Sequence, residues 1–141
     1  MTRIAAGLLV ALALAACSDS TEPGDSIAGS YTATRAIVTD GGTPTNALAV
    51  GATIHLTLSE NGTTSGTVHL PGALTDSGEP EDQSLAGTWT VNEAGTQVTF
   101  DFAEVSDFAF EDTPWTVDGD ELNFSSSSGE GDSIEITLTK D

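Results

Sequence analysis

Basic side chains are nearly absent: three Lys and Arg residues stand against 22 Asp and Glu in 141 residues, a net charge of −19. So acidic a surface repels phosphate backbones and anionic headgroups, which excludes nucleic-acid binding and electrostatic docking on anionic lipid. Its plain consequence is solubility in a periplasm or at high salt. Cys17 is the one cysteine, so no intramolecular disulfide can form and the fold must be held by its core. Long hydrophobic runs are also missing. Residues 4–16 lack a polar side chain, but as a helix they cover roughly 20 Å against a hydrocarbon core of about 30 Å, too little to span it. No helical hydrophobic period follows them.

That short run has the layout of a secretory signal, with Met1-Thr2-Arg3 as its charged start. Its end, Leu14-Ala15-Ala16-Cys17, resembles the bacterial lipobox at all four positions. The resemblance implies cleavage before Cys17 and acylation of that residue by fatty chains such as palmitate, each buried CH₂ adding ~0.8 kcal/mol of membrane affinity. Residues 1–16 are therefore expected to be a lipoprotein signal peptide, residues 17–26 the lipidated cysteine and a polar tether, and residues 27–141 one β-barrel domain. The partner implied is the lipid bilayer of a bacterial cell envelope. In Gram-negative lipoproteins an Asp after the cysteine tends to signal inner-membrane retention; Ser18 stands there, which favours the outer membrane. Loss of Arg3 with the signal would leave Arg35 and Lys140 as the basic residues.

From Ile27 onward apolar residues alternate with Thr, Ser and charge at a period of two, broken by Gly, Asn and Asp turns. Eight strands are expected, at 28–39, 50–59, 64–70, 84–92, 96–102, 107–117, 121–126 and 132–139. The apolar parity shifts between Phe110 and Trp115, which predicts a bulge at Asp112 to Pro114. Tight turns at Glu60-Asn61-Gly62, Glu93-Ala94-Gly95 and Gly119-Asp120 alternate with longer links at 40–49, 71–83, 103–106 and 127–131. In an up-and-down meander all the tight turns close one end and all the long loops ring the other. The fold class is thus all-β, an eight-stranded antiparallel up-and-down barrel, closed to remove its edges.

Such a cup resembles the lipocalin-like (calycin) barrels, in particular the small lipocalin-like domains of bacterial lipoproteins. Gly29-Ser30-Tyr31 stands where that superfamily has Gly-x-Trp at the start of the first strand, and the loop asymmetry is theirs too. The superfamily's arginine near the end of the last strand has no clear match, Lys140 standing late for it. The resemblance implies a small apolar ligand in the barrel, and the candidate lining is Tyr31, Trp89, Phe100, Phe102, Phe108, Phe110, Trp115 and Phe124. The same aromatics form a packed core if the barrel is filled. A cavity above ~300 Å³ supports binding; interdigitated aromatics support a structural or interaction scaffold.

Other constellations carry less. His55 and His69 lie on the outer face of adjacent strands, directly opposite if paired residue numbers sum to 124, on a diagonal if they sum to 122. Without a third ligand they read as solvated histidines, and no metal or cofactor is expected. Asp118-Gly119-Asp120-Glu121 lacks the spacing of a calcium loop and reads as a hairpin turn. Strict alternation points Arg35 into the barrel, where it needs an anionic partner; a bulge near Thr34 exposes it and turns Ala36 and Val38 inward. No acid, base and nucleophile converge, so the protein is expected to be a monomeric binding module or scaffold and not an enzyme.

Overall fold

Threonine, β-branched and aromatic residues spaced by two suit a pleated, half-buried surface, and strand is what forms. The computed structural model describes residues 23–104 and 113–141. Its ten strands are β1 (Gly29–Asp40), β2 (Thr43–Asn46), β3 (Thr53–Leu58), β4 (Thr63–Leu70), β5 (Glu81–Ser84), β6 (Gly87–Val91), β7 (Gln97–Phe102), β8 (Trp115–Asp118), β9 (Glu121–Ser127) and β10 (Ser133–Lys140). A single helical turn, α1 (Pro23–Ile27), precedes them. Every pairing is antiparallel, and β10 returns to pair with β1. The ring runs β1, β3, β4, then β5 with β6, then β7, β8, β9 and β10, which is the closed eight-stranded barrel expected. Among the described residues no helix is long and apolar enough to cross a membrane.

Two details depart from the expected strand list. Gly41 and Gly42 both take positive φ, +53° and +81°, as a two-residue type I′ turn requires. They fold β2 back on Ile37 to Asp40, along the edge of β1 away from β10, the edge that β3 pairs at Gly29 to Thr32. The fourth strand, expected as one run over 84–92, is shared between β5 and β6. β4 pairs with β6 through Thr63 and Thr64 and with β5 from Thr67 to Leu70, and the Leu85 N–H bonds the Gly66 carbonyl between them. Phe108, Phe110 and the expected sixth strand as far as Asp112 lie outside the described residues; of the bulge expected at Asp112 to Pro114, Thr113 and Pro114 are described and precede β8 outside any strand.

The ladders settle both open alternatives. β1 shifts register between Ala33 and Arg35, leaving Thr34 as the extra residue of a bulge. Ala36 is buried while Arg35 turns outward to Glu135 at 2.7 Å, a surface pair contributing ~0–1 kcal/mol. The β3–β4 register sums to 122, with His55 opposite Thr67 and His69 opposite Thr53, and Gly62 takes φ +84° in the turn. The two histidines are therefore diagonal. Each has its own neighbour: His55 Nδ1 lies 3.2 Å from Thr32 Oγ1, and His69 Nδ1 lies 2.7 Å from Asp82 Oδ1.

One end of the barrel is sealed. The β3–β4, β6–β7 and β8–β9 turns gather there, Asp118 to Glu121 being the last of them, and the packed chain begins there with α1. Ile27 is buried, the Tyr31 hydroxyl donates to its carbonyl at 2.6 Å, and Lys140 Nζ donates to the Ser26 carbonyl at 3.0 Å. The late basic residue thus ties the C-terminal strand to α1.

Tyr31 is the only tyrosine and its phenol is pushed up to about 12, by burial first and by the Asp120 carboxylate second. A folded value above the unfolded 10 means that the contribution is whole below pH 10 and lost as pH rises through about 12. An absorbance titration of the phenolate is expected to follow that raised value, and Tyr31→Phe to lack the alkaline loss of stability. A midpoint at 10 in the folded protein would contradict the buried placement.

Candidate functional site

Two layers divide the barrel interior. The layer toward the sealed end is packed with aromatics because successive inward positions of β6, β7, β8 and β9 carry them. Phe100 stacks on Phe102 with centroids 5.4 Å apart, meets Trp115 edge-on at 5.7 Å, and Phe124 lies 5.2 Å from Trp115 on the other side. Trp89 is buried opposite Phe100 in the β6–β7 ladder, and its indole N–H donates to the Ser59 carbonyl at 2.9 Å. A void of about 10 Å³ remains among Leu56, Leu85, Phe102, Trp115 and their neighbours, at the lower limit for one water. Six of the eight candidate lining residues, Tyr31, Trp89, Phe100, Phe102, Trp115 and Phe124, are buried here or beside α1.

Space opens in the layer above. A cavity of about 180 Å³ lies toward the long loops, lined by Ala36 and Val38 of β1, Ile54 of β3, Leu70 of β4, Ile134 and Ile136 of β10, and Ala47, Ala52 and Leu74 from the loops. None of the six aromatics is in that lining. Alanine makes the room: at positions 36, 47 and 52 a methyl group stands where a branched side chain would fill the ring. The Ala47 N–H bonds the Ala36 carbonyl at 2.9 Å and the Ala52 N–H bonds the Ala47 carbonyl at 3.0 Å, so the turn around Leu48–Val50 folds down over the mouth. Across from it the turn Gly72–Leu74 brings Leu74, held by the Thr75 hydroxyl on the Glu79 carbonyl at 2.7 Å.

All nine lining side chains are hydrocarbon, so the cavity offers volume and dispersion contacts without an ionic anchor. Its size fits a benzene-like ring or a short alkyl chain, given that an apolar cavity of roughly 150 Å³ takes benzene. The surrounding loops are acidic. Asp40, Asp76, Glu79, Glu81, Asp82, Glu104 and Glu130 are exposed at this end. Asp132 accepts a bond from the Gly41 N–H at 2.8 Å. Among the described residues no three His, Cys, Asp or Glu side chains gather as metal ligands. Sequence reasoning followed the aromatics and passed over the alanines; the signal was the small residue at an inward-facing position, legible once the Thr34 bulge is placed. No protein-family model matches the chain, and no curated protein or solved structure matches it either.

Proposed function

We propose that this chain is a lipocalin-like lipoprotein of the bacterial envelope, anchored through acylated Cys17, favouring the outer membrane, and holding a small apolar ligand at the open end of its barrel. The observation that carries the ligand reading is the hydrocarbon cavity of about 180 Å³ opposite the sealed end, which falls short of the ~300 Å³ of a drug-sized site and so narrows the ligand to one near the size of benzene or a short alkyl chain. The anchor rests on Leu14-Ala15-Ala16-Cys17. Because α1 starts at the sealed end, a tether from Cys17 joins the base and leaves the mouth pointing away from the membrane.

The acidic loops favour neutral or cationic ligands over carboxylates. Methyl NMR tests this directly, since Ile54, Ile134 and Ile136 line the cavity while Ile27 sits at the far end as an internal control. Hexanol and hexylamine are expected to shift the three lining methyls and leave Ile27 in place, with hexanoate weaker at low salt and the gap narrowing as salt rises. Shifts at Ile27 alone, or preference for hexanoate, would contradict the reading. Cys17→Ser is expected to release the protein from membranes or leave an uncut precursor; an unmodified Cys17 N-terminus by intact mass would remove the anchor. The filled aromatic layer favours a second reading, a scaffold whose loops meet a partner, and silence from all three hexyl compounds supports it.

A further inference from the structure

The ladder registers give the cavity a depth. β1 runs from the sealed end toward the mouth, and its inward residues Ala36 and Val38 pair with Ile136 and Ile134 of β10. The Ala47 N–H on the Ala36 carbonyl carries the lower of these two rows on to Ala47. All five residues line the cavity. Ile136, Ala36 and Ala47 are therefore its deep row, and Val38 and Ile134 stand roughly 7 Å nearer the loops, two residues along a strand. Beneath the deep row the next inward residue of β10 is Leu138, which belongs to the packed layer.

Two consequences follow for anything that enters. Every lining side chain is hydrocarbon, so a polar group would find no partner inside and stays at the loop end, in contact with water. The ligand goes in tail first. Its reach then ends at the deep row, because the layer below retains a void of only about 10 Å³. An apolar cavity of roughly 150 Å³ takes the six carbons of benzene, about 25 Å³ for each, so the 180 Å³ present here takes about seven. Two of the three side chains at the deep row are single methyl groups, and a larger residue at either would shorten that reach directly.

We propose that Ala36 and Ala47 are the specificity-determining residues of the cavity, limiting to about seven carbons the alkyl tail of an amphiphile whose polar end remains among the loops. This rests on the reading of the cavity as a ligand site. Up to the limit each carbon leaves water for hydrocarbon; beyond it each further carbon stands in water and adds nothing. Valine at position 36 suits a strand and places two more carbons at the deep row, which lowers the limit to about five.

The experiment titrates the 1-alkanols from butanol to nonanol into the full chain and into Ala36→Val, with the methyl signals of Ile134 and Ile136 as readout. Affinity is expected to rise about fourfold per carbon as far as heptanol and then to level off. In Ala36→Val the rise is expected to stop near pentanol, with butanol bound as by the unmodified protein. A rise that continues through nonanol in the unmodified protein, or a break that stays at heptanol in Ala36→Val, overturns the length limit while the cavity reading stands. Binding of no alkanol overturns both. If Ala36→Val fails to fold, Ala47→Val brings the same two carbons from the neighbouring position and is expected to show the same earlier break.

Discussion

Trp115→Ala is expected to lower the stability of the folded chain by about 3–5 kcal/mol, read as a shift of the urea midpoint at unchanged slope. The indole is 1% exposed, sits between Phe100 and Phe124, and adjoins a residual void of only about 10 Å³. Its removal leaves a hole that the neighbours cannot close, because each is held on a strand of a closed ring and moving one stave inward breaks the hydrogen bonds of two ladders. Against a total stability of roughly 5–15 kcal/mol for a domain, that loss is a large share. Trp115→Phe keeps the ring contacts and is expected to cost less. A loss below about 1 kcal/mol for the alanine variant would mean that β8 does not face inward at Trp115, and with it the pairing of Val98 to Trp115 would fail.

The second large effect comes from a residue with no side chain. Gly66 takes φ +141°, and a Cβ built on it would come within 2.0 Å of the His55 carbonyl oxygen and 3.0 Å of Leu56 Cα. Both neighbours are backbone atoms of the adjoining strand, so relief requires β3 and β4 to separate at the point where β4 passes from β6 to β5. Gly66→Ala is expected to cost at least about 3 kcal/mol, combining a backbone conformation alien to L-residues with the opened ladder. Gly41→Ala is the matched control, since its φ is +53° and nothing lies within 4 Å of its added carbon. It is expected to lose about 1 kcal/mol, the left-handed penalty alone. Equal losses for the two variants would show that the close approach of the strands at Gly66 carries no energy.

Much of this architecture is legible in the sequence because its physics is local. Alternation at a period of two marks which side of each strand is wet, and glycine with asparagine or aspartate marks where the chain reverses, so the eight staves and the sealed end follow from spacing alone. β2 escaped because Thr43-Pro44-Thr45-Asn46 has no apolar alternation; only the Gly41-Gly42 pair ahead of it announces a hairpin. The division of the fourth stave escaped because Leu85 and Trp89 hold the same parity, so the period runs on through a change of partner that backbone geometry alone makes. The histidine register waited on the turn, since two pairings keep the same inner face and only the conformation of Gly62 chooses between them. The cavity escaped for a different reason. Hollow space is a difference between what a ring could hold and what its side chains supply, and it depends on which residues from distant strands share a row. Ala36, Ala47 and Ala52 reveal it only after the bulge at Thr34 has turned Ala36 inward.

Closure of the ring by its first and last strands sets the order in which the chain can complete itself. β3 reaches one edge of β1 early, with Thr32 and His55 only 23 residues apart. The other edge belongs to the eight-residue β10, and Arg35 finds Glu135 across 100 residues of chain. Pairing at such range is slow to nucleate, because the loop entropy is lost before the contacts repay it. A folding chain therefore carries β1 with one bare edge until β10 joins it, and every intermediate before that closure is an open sheet with two edges competent to join a neighbour. Over that interval the acidic side chains hold like chains apart, so the charge that keeps the finished barrel in solution also protects it while it is unfinished.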